Sequence, residues 1–243
     1  MPDLELTFLG TGNAFAPGGL CWNGFVANGT HLFEAPPTAL PSLHNAGLDP
    51  NELETVVISH HHGDHFLGLP FLMLHWKERG RTKPLRIVGP PGTESLTREI
   101  AARVYPSLFE FTYSLEWIEL NAGEGASSAG LELETVEMKH DRRLALNLGF
   151  RATLAGRSFS YTGDSAICDA VLDLARGVDV VVAECASRER AAPTHMDLVD
   201  DIPIVRAVMR PDAHLILTHL GPGITAGDLP LTTVAQDLAV YRL

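Results

Sequence analysis

The chain has 243 residues, 45% of them hydrophobic, and its 30 acidic side chains outnumber its 18 basic ones, which gives a net charge of −12. This length and composition predict one globular domain over residues 1–243, and the acidic balance argues against a broad nucleic-acid-binding surface. The sequence has no apolar run near the roughly 18 residues of a membrane span, its acidic start does not resemble a signal peptide, and its three scattered cysteines favour the reducing cytoplasm.

Strands and helices are predicted to alternate along the chain. Residues 4–9 are predicted to form a strand and residues 23–34 a hairpin that turns at Asn28-Gly29. The later segments with strand or helix patterns are the strand 55–58, helices that start at Pro70 and at Thr93, the strands 131–139, 157–160 and 178–183, a helix over 196–209, the strand 214–218 and a segment from Thr232. These patterns alone predict an α/β fold.

The run Ser59-His60-His61-His62-Gly63-Asp64-His65 follows the strand 55–58 directly. It holds four metal-competent side chains at H-x-H-x-D-H spacing, and packing does not explain them: His60, His62, Asp64 and His65. Because side chains alternate in direction along an extended chain, the first two imidazoles can face one centre. The next two side chains can then turn toward a second centre. The pattern predicts the loop of a two-metal hydrolase, in which paired ions make a hydroxide and clamp the leaving oxygen.

The motif resembles the metal-binding motif of the metallo-β-lactamase superfamily. Three later residues support the resemblance because each stands where an apolar run stops: His140, Asp164 and His219. The resemblance implies a four-layer αβ/βα sandwich of two mixed β-sheets flanked by helices. It also implies the ligand set, with His60, His62 and His140 on one metal ion, Asp64, His65 and His219 on a second, and Asp164 as the bridge.

The donor types of this set favour two divalent ions, by default Zn²⁺. Imidazole with carboxylate and no thiolate suits zinc, and Mn²⁺ or iron is compatible. True β-lactamases of this fold commonly place a cysteine where Asp164 stands, whereas the cysteines of this chain lie elsewhere: Cys21, Cys168 and Cys185. Glu34 occupies the strand end where the superfamily often has an Asp that supports the metal loop, and its role is left open.

A short loop with Thr194-His195-Met196 resembles the ribonuclease Z branch, where a comparable His contacts phosphate and protonates the leaving oxygen. The predicted catalytic residues are therefore Asp64 and His195, although His195 could instead cap a helix or face solvent. Arg142 and Arg143 lie just past His140 and could bind a substrate phosphate. Surface salt bridges are the alternative for these two arginines.

The substrate is predicted to be a small phosphodiester. Only 24 positions separate His140 from Asp164, which leaves no room for the long tRNA-gripping arm that true processing enzymes insert there. Phosphate-backbone binding also relies on clustered basic residues, so tRNA is not expected as a substrate. The alternatives are a carboxyl-ester, thioester or lactone hydrolase on the same metals, or a scaffold without activity. The family resemblance also implies a homodimer.

Overall fold

The computed structural model describes residues 4–243, so the expectation about a signal peptide at Met1-Pro2-Asp3 lies outside the described residues. The strands are β1 (Glu5–Gly10), β2 (Gly24–Ala27), β3 (His31–Phe33), β4 (Thr55–Val57), β5 (Leu85–Gly89), β6 (Leu115–Glu119), β7 (Gly125–Ser128), β8 (Leu131–Glu137), β9 (Leu148–Leu154), β10 (Arg157–Tyr161), β11 (Val180–Glu184), β12 (His214–Thr218), β13 (Thr232–Val234) and β14 (Val240–Arg242). The helices are α1 (Ala39–Asn45), α2 (Gly63–Phe66), α3 (Leu69–Glu78), α4 (Thr93–Val104), α5 (Asp169–Ala175) and α6 (Asp201–Val208), with 3-10 helices at Pro17–Gly19 and Pro50–Glu52. None of the helices within residues 4–243 is long and apolar enough to cross a membrane.

Two seven-stranded sheets form the middle of the fold. The first has the order β14-β1-β2-β3-β4-β5-β6, with antiparallel pairs up to β2–β3 and parallel pairs from β3 to β6. The second has the order β13-β12-β11-β10-β9-β8-β7, with parallel pairs from β13 to β10 and antiparallel pairs from β10 to β7. Both sheets are therefore mixed.

Three apolar clusters separate the layers. Between the sheets, the ring of Phe33 stacks on Phe25 with centroids 4.7 Å apart and meets Phe159 of the second sheet at 5.5 Å. A second cluster joins the first sheet to α1, α3 and α4, and a third joins the second sheet to α5 and α6. Burying each large apolar side chain contributes about 1.5–3 kcal/mol. The predicted four-layer αβ/βα sandwich of two mixed sheets flanked by helices is thus confirmed.

The predicted hairpin is formed by β2 and β3, which pair with Ala27 opposite His31. Asn28 and Gly29 have φ angles of 46° and 74°. A type I′ turn requires positive φ at both central residues, and Asn-Gly adopts it at low cost. The turn chemistry in the sequence therefore located this hairpin correctly.

The helix predicted over residues 196–209 is shorter in the structure, because α6 begins only at Asp201. The Asp197 carboxylate accepts a hydrogen bond from the backbone N–H of Asp200 at 2.7 Å. Such local side-chain bonds compete with helix formation. Since α6 starts after Asp200, His195 lies in the preceding loop and does not cap the helix.

The residues that could carry chemistry gather at one edge of the sandwich. β4 leads into the motif 59–65. The strands β10, β11 and β12 run parallel to one another. β10 ends near Asp164, β11 ends at Glu184, and β12 ends next to His219. β8 runs in the same direction as β10, because both pair antiparallel with β9, and it leads to His140. Parallel strands present their carboxyl ends at a common edge, where active sites of α/β folds form.

Candidate active site

His60, His62 and His140 form a first cluster. His62 Nδ1 lies 3.0 Å from His60 Nε2 and 3.1 Å from His140 Nε2. The other ring nitrogens are held outside the cluster, with His60 Nδ1 2.9 Å from Ser59 Oγ and His140 Nδ1 donating to the Thr194 carbonyl at 3.1 Å. These outer bonds fix which nitrogen of each buried ring faces inward.

Asp64, His65 and His219 form a second cluster. Asp64 Oδ2 lies 3.4 Å from His65 Nε2 and 3.5 Å from His219 Nε2. Burial would raise the pKa of Asp64, but the nearby imidazoles of His219 and His65 outweigh burial and hold that pKa well below its usual range. His219 has a φ of 51°, a left-handed backbone that costs energy in a residue other than glycine and that often marks a functional position.

Asp164 lies between the two clusters. Its Oδ2 atom faces one nitrogen from each of four rings, at 3.9 Å from His60, 3.8 Å from His140, 3.4 Å from His65 and 3.3 Å from His219. Burial would raise the pKa of Asp164, but the imidazoles of His219 and His65 outweigh burial and lower it. A single carboxylate oxygen is therefore shared by side chains from both clusters.

The two clusters fit a pair of divalent metal ions. Among residues 4–243, no hydrogen-bond partner exists for the buried atoms His65 Nε2, His219 Nε2 and Asp164 Oδ1. Each unpaired buried polar atom costs about 1–3 kcal/mol, a cost that coordination would remove. A tetrahedral zinc ion separates its nitrogen ligands by about 3.3–3.4 Å, close to the separations in the first cluster. The structure thus brings together all seven predicted ligand residues, while their roles as ligands stay predictions.

His195 lies beside both clusters, with its ring centroid 4.8 Å from that of His140 and 5.5 Å from that of His219. Its Nδ1 donates to Glu184 Oε1 at 2.9 Å, and the same oxygen accepts the backbone N–H of Ser165 at 2.8 Å. Burial would lower the pKa of His195, but the hydrogen bond and the charge of Glu184 outweigh burial and raise the pKa to about 9. The bond to Glu184 occupies Nδ1 and leaves Nε2 as the other ring nitrogen.

Glu184 is a residue that the sequence analysis missed. Its side chain is fully buried and closes β11, whose other residues, Val180–Ala183, are all apolar. Buried carboxylates are rare unless they are paired, so a lone acid at the end of an apolar strand was the available signal. Its pairing with His195 could not be read from the sequence, because a loop separates the two residues.

Glu34, whose role the sequence left open, supports the metal motif. One carboxylate oxygen lies 3.3 Å from His65 Nδ1 and accepts the hydroxyl of Tyr161 at 2.9 Å. The other accepts the backbone N–H of Ser59 at 3.2 Å. The longer side chain of Glu therefore reaches the motif from the end of β3 and lies against the ring of His65.

The two arginines after His140 differ in their surroundings. Arg143 is paired with Asp141 through Nη2 to Oδ2 at 2.6 Å and Nε to Oδ1 at 2.9 Å, so its charge is already neutralised locally. Both arginines are exposed and line a cleft of about 490 Å³ that has mainly polar residues in its wall, His140 and His195 among them. They differ in that Asp141 forms its salt bridge with Arg143. Phosphate binding by either arginine stays a prediction, and the geometry favours Arg142.

A second cleft, of about 510 Å³, also contacts His195. Its inner wall consists of five residues of the clusters and their surroundings: His62, Asp64, Asp164, His195 and His219. Its outer wall is mainly apolar and comes from the loop after β1 and the loop after β11. A substrate at the clusters can therefore extend in two directions, one polar and one apolar.

Comparisons with known proteins agree with this architecture. A family model described as the β-lactamase superfamily domain matches residues 22–220. Ribonuclease BN of Escherichia coli K12 is 30% identical over 204 residues, and the match covers 65% of this chain and 66% of that protein. The chain thus spans just under two thirds of the length of this curated relative.

Two solved structures share the fold. The metallo-β-lactamase fold protein YhfI from Bacillus subtilis aligns with a TM-score of 0.79 at 18% identity, covering 99% of this chain and 100% of that one. The short form of human tRNase Z aligns with a TM-score of 0.77 at 20% identity, covering 98% of each chain. The chain therefore belongs to the β-lactamase superfamily with the metallo-β-lactamase fold, and the prediction of a metal-dependent hydrolase is confirmed at the level of this family.

Proposed function

We propose that this protein is a dinuclear metal-dependent phosphodiesterase that acts on a small phosphodiester. The observation that carries the proposal is the position of His195, a braced imidazole beside the two clusters of possible metal ligands. Two divalent ions, when bound, supply a water of lowered pKa as the nucleophile and neutralise charge on the phosphoryl oxygens. The residues that would hold them are His60, His62, Asp64, His65, His140, Asp164 and His219.

His195 would serve as the general acid. The alkoxide that leaves a phosphodiester is strongly basic and needs a proton as it departs. Glu184 holds Nδ1 of His195 at 2.9 Å, so Nε2 is the atom that can give this proton to the leaving oxygen. Because Glu184 raises the pKa of His195 to about 9, the ring is protonated at neutral pH, as a general acid must be.

Two features support a small substrate, and a third supports the phosphodiester chemistry. The interval between His140 and Asp164 consists of the β9–β10 hairpin and short connections, with no additional arm. The net charge is −12, and basic clusters that would follow a nucleic-acid backbone are not expected on such a chain. The likeness to ribonuclease BN is consistent with phosphodiester chemistry. We propose Zn²⁺ as the metal, with Mn²⁺ or iron compatible.

Hydrolysis of a carboxyl ester, thioester or lactone is the second candidate. The apolar cleft favours it, because that cleft could also accept an acyl chain. A thiolate leaves without being protonated, however, so a thioesterase would not need the His195–Glu184 pair as a general acid.

The test is a substrate panel on protein reconstituted with Zn²⁺ or Mn²⁺. We expect the protein to hydrolyse bis(4-nitrophenyl) phosphate much faster than it hydrolyses the thioesters and lactones of the panel. The Asp164→Ala variant, prepared identically, controls for contaminating enzymes, and His44→Ala, which changes an exposed histidine away from the clusters, controls for nonspecific effects. Faster turnover of thioesters or lactones than of the diester would overturn the proposal.

A further inference from the structure

Phe15 is exposed at the mouth of the apolar cleft. Its side chain is 89% exposed, the highest value among the large hydrophobic residues within residues 4–243. It lines the cleft from the loop after β1, whereas Ser187 and Arg188 line it from the loop after β11. An isolated exposed apolar residue needs no explanation, but an exposed aromatic ring at the entrance to a candidate active site can bind a ligand.

The loop that presents Phe15 is braced. The backbone N–H of Phe15 donates to Asn13 Oδ1 at 3.0 Å, and Asn13 Nδ2 donates to the carbonyl of Ala186 at 3.4 Å, which ties the two walls of the cleft together. The indole of Trp22 donates to the carbonyl of Ala14 at 3.2 Å. The ring therefore projects from a fixed backbone, and it has only two side-chain torsions to order when a ligand binds.

The remainder of the outer wall is small and apolar. Ala14, Ala186, Ala191, Ala192 and Pro222 leave a smooth surface, and the acidic side chains that line the cleft are Asp64 and Asp164 of the clusters. Ser187 and Arg188 provide polar groups in the part of the wall that comes from the loop after β11. A flat, uncharged ring with hydrogen-bonding groups on its edge matches these walls better than a flexible acyl chain, because an acyl chain cannot form hydrogen bonds with the polar groups.

We infer that this cleft binds the nucleobase of a nucleotidyl phosphodiester and that Phe15 determines this specificity by stacking on the base. The inference rests on the proposed phosphodiesterase function. The volume of about 510 Å³ lies within the range of small-molecule sites. Stacking on an aromatic side chain accepts any base, because every base has a π-face, so the site selects nucleotides as a class.

The test varies only the arm of the substrate that would enter the cleft. Three 4-nitrophenyl phosphodiesters share one leaving group and carry a thymidin-5′-yl, a cyclohexylmethyl or a methyl group as the second arm. We expect kcat/KM to be highest for the thymidinyl ester. Phe15→Ala should lower that value by about 5- to 150-fold and leave the methyl ester within about 2-fold.

Two variants sharpen the result. Phe15→Leu keeps an apolar side chain but removes the flat ring, so it should impair the thymidinyl ester and spare the cyclohexylmethyl ester. Phe71→Ala removes another exposed phenylalanine, 45% exposed on α3, and should change none of the three. Equal effects of Phe15→Ala on all three esters, or none on the thymidinyl ester, would overturn the inference. A shift from dimer to monomer in Phe15→Ala would also overturn it, because Phe15 would then belong to a subunit interface.

A binding measurement separates failure of this inference from failure of the proposed function. Saturation-transfer NMR with thymidine 5′-phosphate, which contains no diester bond to hydrolyse, reports base contacts on the Zn²⁺-loaded protein without turnover. Signals from the base protons that are lost in Phe15→Ala, but not in Phe71→Ala, support the nucleobase site even if no diester is hydrolysed. Their absence in the unmodified protein overturns it even if diesters are good substrates.

Discussion

Replacing His195 by alanine tests the proposed chemistry most directly. The loss should depend on the leaving group, because a nitrophenolate departs without a proton and an alkoxide does not. The side chain of His195 is 22% exposed, so water can replace part of its function. General-acid catalysis contributes roughly 10²–10⁴-fold, and we expect His195→Ala to lose that factor on an alkyl diester.

The magnitude follows from the surroundings of the ring. Ser187 and Arg188 line the same cleft as His195, but they cannot replace it as the general acid. A guanidinium does not release its proton near neutral pH, and a serine hydroxyl is a weak acid. A loss of 10²–10⁴-fold corresponds to about 3–5.5 kcal/mol of transition-state stabilisation. The loss on bis(4-nitrophenyl) phosphate should remain below about 10-fold, because only positioning of the phosphoryl group is affected.

The assay compares a dinucleoside phosphate with bis(4-nitrophenyl) phosphate at matched metal content. Elemental analysis should show that His195→Ala retains both ions, and His44→Ala serves as the matched histidine control. Equal losses on the two substrates would mean that His195 positions phosphate or supports the fold. No loss on either would remove it from the active site and favour the carbonyl-hydrolase alternative.

Three further predictions concern single groups. Asp164→Ala should reduce the bound divalent ions below two per chain and abolish turnover while circular dichroism stays unchanged; normal metal content with normal activity would contradict the bridging role. Glu184→Gln keeps the shape but removes the charge that raises the pKa of His195, so an NMR titration of the metal-free variant should show a lower pKa, and an unchanged value would refute the pairing. Burial lowers the pKa of His31 to about 4, below its unfolded value of roughly 6.5. The corresponding stability is present above pH 6.5 and is lost as the pH falls toward 4. In urea unfolding of the metal-free protein, the free energy of unfolding should therefore fall more for the wild type than for His31→Gln over that pH range. Parallel plots of this free energy against pH would contradict the shift.

The residues at the candidate site could be predicted from sequence where their signal was local. The spacing of His60, His62, Asp64 and His65 is contained in one loop, and His140, Asp164 and His219 each follow an apolar strand pattern. The strands that precede them have their carboxyl ends at one edge, so a correct α/β architecture brings these residues together. The Asn28-Gly29 turn was readable for the same reason, since its backbone requirement acts over four residues.

The residue that was missed, Glu184, and the one whose role was left open, Glu34, depend on contacts between distant segments. Glu184 acquires its role from His195 across a loop, and Glu34 acquires its role from His65 and from Tyr161 of the other sheet. The start of α6 was misplaced because the periodicity of apolar residues extends back through Met196 while a side-chain hydrogen bond to Asp197 holds the backbone in a turn. Apolar periodicity reports which face is buried, but it does not report competition for backbone hydrogen bonds.

The two sheets are joined by a buried polar chain directly beneath the clusters. The Tyr161 hydroxyl donates to Glu34 and accepts from Asn23 Nδ2 at 2.9 Å, and Asn23 Oδ1 accepts from Thr218 Oγ1 at 2.6 Å. Burial and the charge of Glu34 raise the pKa of Tyr161, so its hydroxyl stays protonated and able to donate.

Each end of this chain lies next to a side chain of the second cluster. Glu34, which follows β3 of the first sheet, contacts His65. Thr218, which ends β12 of the second sheet, immediately precedes His219. If one sheet slid relative to the other, the chain would lose buried hydrogen bonds, and each buried group left unpaired costs about 1–3 kcal/mol. The interior between the sheets is otherwise mainly apolar, apart from a second buried polar chain in which Thr55 Oγ1 lies 3.2 Å from His31 Nδ1 and 2.5 Å from Ser128 Oγ of the other sheet. Of these two chains, the one through Tyr161 lies next to the second cluster, and it contributes to the register that holds His65 and His219 at a fixed separation.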